Sequence, residues 1–95
     1  MRIEIRPAFD EAVQRAERPI RVAAAKTLRI LSEMEYGQVL SHPGLKFEKL
    51  HGFVEPETGE QLYSMRITQA ARAMVCLKNG PTIVLVALHV RHDDA

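Results

Sequence analysis

Tyr63-Ser-Met-Arg-Ile-Thr-Gln-Ala-Ala-Arg-Ala-Met-Val-Cys-Leu77, then Lys78-Asn-Gly-Pro81 and Thr82-Ile-Val-Leu-Val-Ala-Leu-His-Val-Arg-His-Asp-Asp-Ala95, is the stretch that decides the fold. Residues 82–88 are an apolar run in which Ile83, Val84 and Val86 are β-branched, too short to span a membrane and too branched for a preferred helix. A buried strand is predicted there, with Asn79-Gly80 as the hairpin turn before it. Taken as one strand from Thr82 to His92, alternation sets Ile83, Leu85, Ala87, His89 and Arg91 on one face and Val84, Val86, Leu88, Val90 and His92 on the other. His89 is thereby expected in the core, opposite in sense to His92. In the preceding strand Ala71, Ala73, Val75 and Leu77 make an apolar face, while Arg72, Met74, Cys76 and Lys78 make one with cations at both ends. One strand earlier, Tyr63, Met65 and Ile67 alternate with Ser64, Arg66 and Thr68. With Gln69-Ala70 as the connection, Arg66 and Arg72 come close together, and two arginines and a histidine converge on one end of a sheet.

Working outward, Met1 to Arg6 alternates as a half-buried strand ended by Pro7. Phe9 to Arg18 has Phe9, Ala12, Val13 and Ala16 at helical spacing, with Asp10 and Glu11 in the first turn where the helix dipole favours them. Pro19 suits the start of a second helix, expected to run to about Tyr36 and end at Gly37, with the stripe Ile20, Ala23, Ala24, Thr27, Leu28, Leu31 and Met34. Arg18, Arg21, Lys26 and Arg29 lie mostly off that stripe, either as a solvated face or as one turned to a partner or RNA. Ser41-His-Pro-Gly44 reads as a turn with His42 an exposed spacer. Leu45 to Leu50 reads as a short strand closed by His51-Gly52, with Leu45 and Phe47 inward and Lys46 and Glu48 outward. Residues 53–61, with Pro56, Gly59 and three glutamates, read as a solvated hairpin loop. The whole is an α+β domain over residues 1–95, an N-terminal strand and helical hairpin packed on one face of a mainly antiparallel sheet.

Ninety-five residues make one core. The 46% hydrophobic and 26% charged content is that of an ordinary globular domain, and no signal peptide or membrane span is evident, so a cytoplasmic location is expected. The single cysteine, Cys76, rules out an internal disulfide and is expected to serve packing. Net charge is only +1, yet nine of the thirteen cations are arginine, suited to bidentate phosphate contacts. Five of the twelve acids crowd into Glu55 to Glu60 and Asp93-Asp94, leaving the remaining surface locally basic.

In its order of elements and in three patterns, Leu45-Lys-Phe-Glu-Lys-Leu-His-Gly52, Leu62-Tyr-Ser-Met-Arg-Ile-Thr-Gln-Ala-Ala-Arg72 and Val90-Arg-His-Asp-Asp-Ala95, the sequence resembles the RelE/ParE superfamily of small toxins from bacterial toxin–antitoxin systems. For the catalytic members that resemblance implies a ribosome-dependent endoribonuclease, needing no metal or cofactor, in which a ribose 2′-hydroxyl attacks the adjacent mRNA phosphate. Such a reaction needs a base, an acid for the leaving 5′-oxygen, and cations for the charged transition state. The matching positions are Glu48 as base, His92 as acid or second base, and Arg66 with Arg72 as phosphate clamps; Lys46, Lys49 and Arg91 are expected to hold RNA. Glu48 also fits an ordinary outward strand residue, and Arg66 a structural ion pair. The family usually carries an aromatic after the His-Asp-x-Ala region, and no aromatic follows His92 here. Implied partners are the ribosome with its mRNA and a small antitoxin, as a hetero-oligomer. Two other functions stay open: a ParE-like, non-enzymatic inhibitor of DNA gyrase, and a catalytically degenerate RelE-like interaction domain.

Overall fold

The computed structural model describes residues 1–91, and in it the alternation at the start of the chain becomes the first strand, β1 (Arg2–Ile5). Pro7 both stops β1 and opens α1 (Pro7–Arg15), because its missing N–H is one that a first helical turn leaves unused. Asp10 sits in that turn and accepts a hydrogen bond from Gln14 Nε2 at 3.0 Å. The helix ends at Arg15, three residues short of the expected Arg18, and α2 (Arg18–Glu33) begins with Pro19 in its first turn. Arg21 Nη1 donates to the Ala16 carbonyl at 2.6 Å, fastening the corner between the helices. Helix α2 buries the expected Ile20, Ala24, Thr27 and Leu31, and Met34 follows as its buried C-cap. It stops at Glu33 rather than near Tyr36. A separate 3₁₀ turn, Tyr36–Gln38, comes next, capped by reciprocal bonds between Glu35 and Gln38.

Four further strands complete the sheet: β2 (Glu48–Val54), β3 (Gln61–Arg66), β4 (Ala71–Lys78) and β5 (Thr82–Val90). Their order is β1-β5-β4-β3-β2, with β1 parallel to β5 and every other pair antiparallel. The fold is thus α+β, with helices against one face of a mainly antiparallel sheet, as the sequence predicts. Strand β2 starts later than expected and runs through His51 and Gly52. Gly52 takes φ +83°, and the pairing with β3 slips between Lys49 and Val54, so the glycine serves an irregularity within the strand rather than its end.

Between α1, α2 and the sheet lies the core. Phe9, Leu31, Met65, Ile83 and Leu85 expose 2% or less, and each such side chain contributes about 1.5–3 kcal/mol by leaving water. Tyr63, Leu77 and Leu88 pack against this cluster.

Strand β5 departs from simple alternation. Met74 pairs with Ala87 and Val75 with Leu85, so Val86 is an extra residue with no partner, a β-bulge. One inserted residue reverses which face every later side chain meets. Ile83 and Leu85 face the helices, and beyond the bulge Leu88, paired with Ala73, does so as well. His89 is therefore turned to the other face and is exposed, which corrects its expected place in the core.

The loop at residues 55–60 is not simply solvated. Glu55 is only 4% exposed; its carboxylate accepts the Thr58 N–H at 2.8 Å and lies 4.0 Å from Arg6 Nη2. Glu57 makes a short ion pair with Arg6 Nη1. Since β1 and β2 occupy opposite edges of the sheet, this hairpin tip crosses the face away from the helices. Cys76 and Val84 on that face are fully buried beneath it. Burial and the nearby Glu55 and Glu60 push the Cys76 thiol up, in keeping with packing rather than reactivity. Among the described residues no helix is long and apolar enough to cross a membrane.

Candidate functional site

The hairpin tip covers one end of the outer face and leaves the other end open. There the β3–β4 register places Arg66 directly opposite Arg72, and the β4–β5 register places Arg72 directly opposite His89. Residues paired in this way share a face, with neighbouring strands about 4.8 Å apart. Arg66, Arg72 and His89 form one row. The next row along carries Glu48, Ser64, Met74 and Ala87. Glu48 is exposed on the edge strand, one strand over and one pair along from Arg66, on the order of 8 Å away by sheet geometry.

Arg72 is the positioned member of the group. Its Nε donates to Ser64 Oγ at 3.0 Å, and its Nη2 donates to the Lys46 carbonyl at 2.6 Å. Ser64 is 3% exposed, and a buried hydroxyl needs a partner; the guanidinium supplies one. Lys46 has φ +49°, in the left-handed region that side chains other than glycine avoid, at a cost of about 1–2 kcal/mol. That turn of the backbone aims the Lys46 carbonyl at Arg72. Two of the five guanidinium N–H groups are thus spent on holding the plane, and the others have no hydrogen-bond partner among the described residues.

The remaining residues singled out from sequence are dispersed. Lys46 flanks Arg72 and its side chain is exposed. Lys49 pairs with Tyr63 and so belongs to the opposite face, away from Arg72. Arg91 lies just beyond β5, where its backbone N–H donates to the Ala70 carbonyl at 2.7 Å. His92 lies outside the described residues. His89 and Ser64 are the members that the sequence did not single out for the site; the only signal for His89 was an apolar run that packs equally well in either parity. Among the described residues no cluster of three or more His, Cys, Asp or Glu is placed to hold a metal ion.

Chemically, the open end offers a fixed guanidinium, a second arginine, an imidazole, and a carboxylate at the rim. Such a set suits a phosphodiester.

No protein-family model and no curated protein matches the sequence. Solved structures match the fold over nearly the whole chain. A chain of the archaeal RelE–RelB complex from Pyrococcus horikoshii superposes with a TM-score of 0.70 at 19% identity, over 97% of this chain and 96% of its own. A YoeB/ParE toxin from Agrobacterium tumefaciens gives 0.65 at 14% identity, over 97% and 100%. A copper-bound mutant toxin from Helicobacter pylori gives 0.53 at 12% identity, over 95% and 93%. At these identities the likeness is one of fold.

Proposed function

Because the chain has a RelE/ParE-like toxin fold, we propose that it is the toxin of a toxin–antitoxin pair and cleaves mRNA on the ribosome. The observation that carries this is the row Arg66, Arg72, His89, with Arg72 held by Ser64 and the Lys46 carbonyl. A scissile phosphate docked on Arg72 and Arg66 has its equatorial oxygens neutralised as charge builds in the transition state. The adjacent ribose 2′-oxygen attacks phosphorus and loses its proton to a base, Glu48. The bond to the 5′-oxygen breaks, and that oxygen takes a proton from an acid, which leaves a 2′,3′-cyclic phosphate and a 5′-hydroxyl. His89, opposite Arg72, is the acid in this scheme; His92, singled out by sequence, is the alternative. Glu48 stands at the rim, where the RNA would enter.

A cognate antitoxin is the proposed partner, on the strength of the RelE–RelB complex among the matching structures. The site of action would be the cytoplasm, where translating ribosomes are. Primer extension on mRNA from translating ribosomes tests the proposal, with cuts expected for the wild-type chain and lost for Arg72→Ala. If DNA synthesis stops first while mRNA stays intact, a gyrase inhibitor replaces the nuclease.

A further inference from the structure

A second basic site lies around the edge of the sheet from Arg72. Between α2 and the turn at residues 42–45 is a cavity of about 320 Å³, within the size range of small-ligand pockets. Lys26, His42 and Arg66 line it, over walls that include Ala23, Ile30 and Ile67, and no acidic side chain contributes. The described acids that form ion pairs, Glu4, Glu55 and Glu57, are engaged with Arg6 and Lys78 elsewhere. Neither Lys26 nor Arg66 has a salt-bridge partner among the described residues. Three basic groups around apolar walls, without a counter-charge, match a ligand that joins an anion to a flat apolar body.

His42 is not the exposed spacer its turn suggests. It is half-buried, and its Nδ1 accepts the Gly44 N–H at 3.1 Å. A neutral imidazole that accepts at Nδ1 carries its proton on Nε2, so the ring presents an oriented donor. Arg66 belongs to both places, since it pairs with Arg72 in the sheet and also lines the cavity. Between them runs Lys46, next in sequence to the cavity residue Leu45 and bound through its carbonyl to Arg72. Leu45 and Lys46 thus connect the cavity to the proposed cleavage site along the chain.

We propose that this cavity is a nucleotide subsite, taking one phosphorylated nucleotide of a single-stranded RNA whose neighbouring phosphate lies on Arg66 and Arg72. It rests on the nuclease function proposed above and adds where the rest of the strand is held. The phosphate meets Lys26 and His42, and the base lies against the apolar wall. Gly44 offers a selective perturbation. A Cβ there would come within 3.1 Å of His42 Cε1 and 3.3 Å of Nδ1, displacing the imidazole without removing it.

Amide NMR titration of the full chain with adenosine 5′-monophosphate tests the subsite, with adenosine and inorganic phosphate as controls. Shifts are expected at Lys26, Thr27 and Gly44, with affinity reduced about tenfold by Lys26→Gln, the loss of one charged hydrogen bond. Gly44→Ala is expected to weaken binding in the same direction. Two results would overturn the proposal: shifts confined to the Arg72 face, or inorganic phosphate binding as well as the nucleotide, which would mean an adventitious ion only. Unchanged affinity in both Lys26→Gln and Gly44→Ala would do the same. The cleavage assay separates the two ideas. Cut mRNA with no nucleotide in the cavity removes the subsite and keeps the nuclease, whereas a filled cavity with intact mRNA removes the nuclease and with it the link to Arg72.

Discussion

Arg72 and His89 face each other across β4 and β5, a pairing that exists because Val86 is an extra residue in β5. Without that bulge, alternation would have turned the imidazole into the helix-covered core. With it, a titratable ring and a fixed guanidinium share one open surface.

If His89 protonates the leaving oxygen, His89→Gln should slow single-turnover cleavage by roughly 10²-fold, the usual range for a positioned acid, while ribosome association stays near wild type. The acidic or basic limb of the pH–rate profile assigned to the imidazole should vanish as well. An unchanged rate at saturating ribosomes would hand the role to His92.

Ser64 is a positioning residue for Arg72. Ser64→Ala removes the acceptor of the 3.0 Å bond from Arg72 Nε and lets the guanidinium rotate. Cleavage should fall by about tenfold, less than for Arg72→Ala, at a stability cost of about 1 kcal/mol. In the Arg72→Ala background Ser64→Ala should have no further effect on rate. Additive losses in that double-mutant cycle would show that the hydroxyl acts some other way.

At Lys46 the effects on folding and on RNA should separate. Glycine accepts φ +49° without strain, so Lys46→Gly should leave the melting temperature equal or raised by up to about 1 kcal/mol equivalent. Loss of the cation should weaken RNA binding and flatten its salt dependence by about one counterion. A large drop in melting temperature would mean that the lysine side chain supports the fold.

Acid should release the hairpin tip. Burial works to raise the Glu55 carboxyl, but hydrogen bonds from Thr58 and the Glu57 N–H, with the Arg6 charge, outweigh it and hold the carboxyl below the ordinary carboxylate range. Glu4 is held down too, chiefly by its bond from Lys78. A carboxyl depressed in the folded state adds stability above its unfolded value, about 4.3, and loses it as pH falls through the folded value. Melting temperature should therefore drop on going from about pH 5 to pH 3, with a shallower slope in Glu55→Gln. Equal slopes in the two proteins would mean that Glu55 is not a source of the acid sensitivity.

Local pattern was enough for much of this chain. Helix α2 buries the stripe written into its 3.6-residue period, and β4 keeps its apolar and polar sides, because those choices depend on neighbours a few residues away. Arg66 and Arg72 meet because a short turn joins their strands, so their proximity was legible too. The histidine was not. From Ile83 to Val90 nearly every residue is apolar, so a shift of one residue leaves an equally apolar face toward the helices, and only packing against β4 and α1 selects the bulge at Val86. Glu55 tells the same story at longer range: its segment looks solvated, but Arg6, 49 positions earlier in the chain, reaches it across the sheet. Sequence by itself determined the elements, most of the core and the arginine pair; tertiary structure decided which histidine joins them, because a buried strand of uniform hydrophobicity carries no record of its own register.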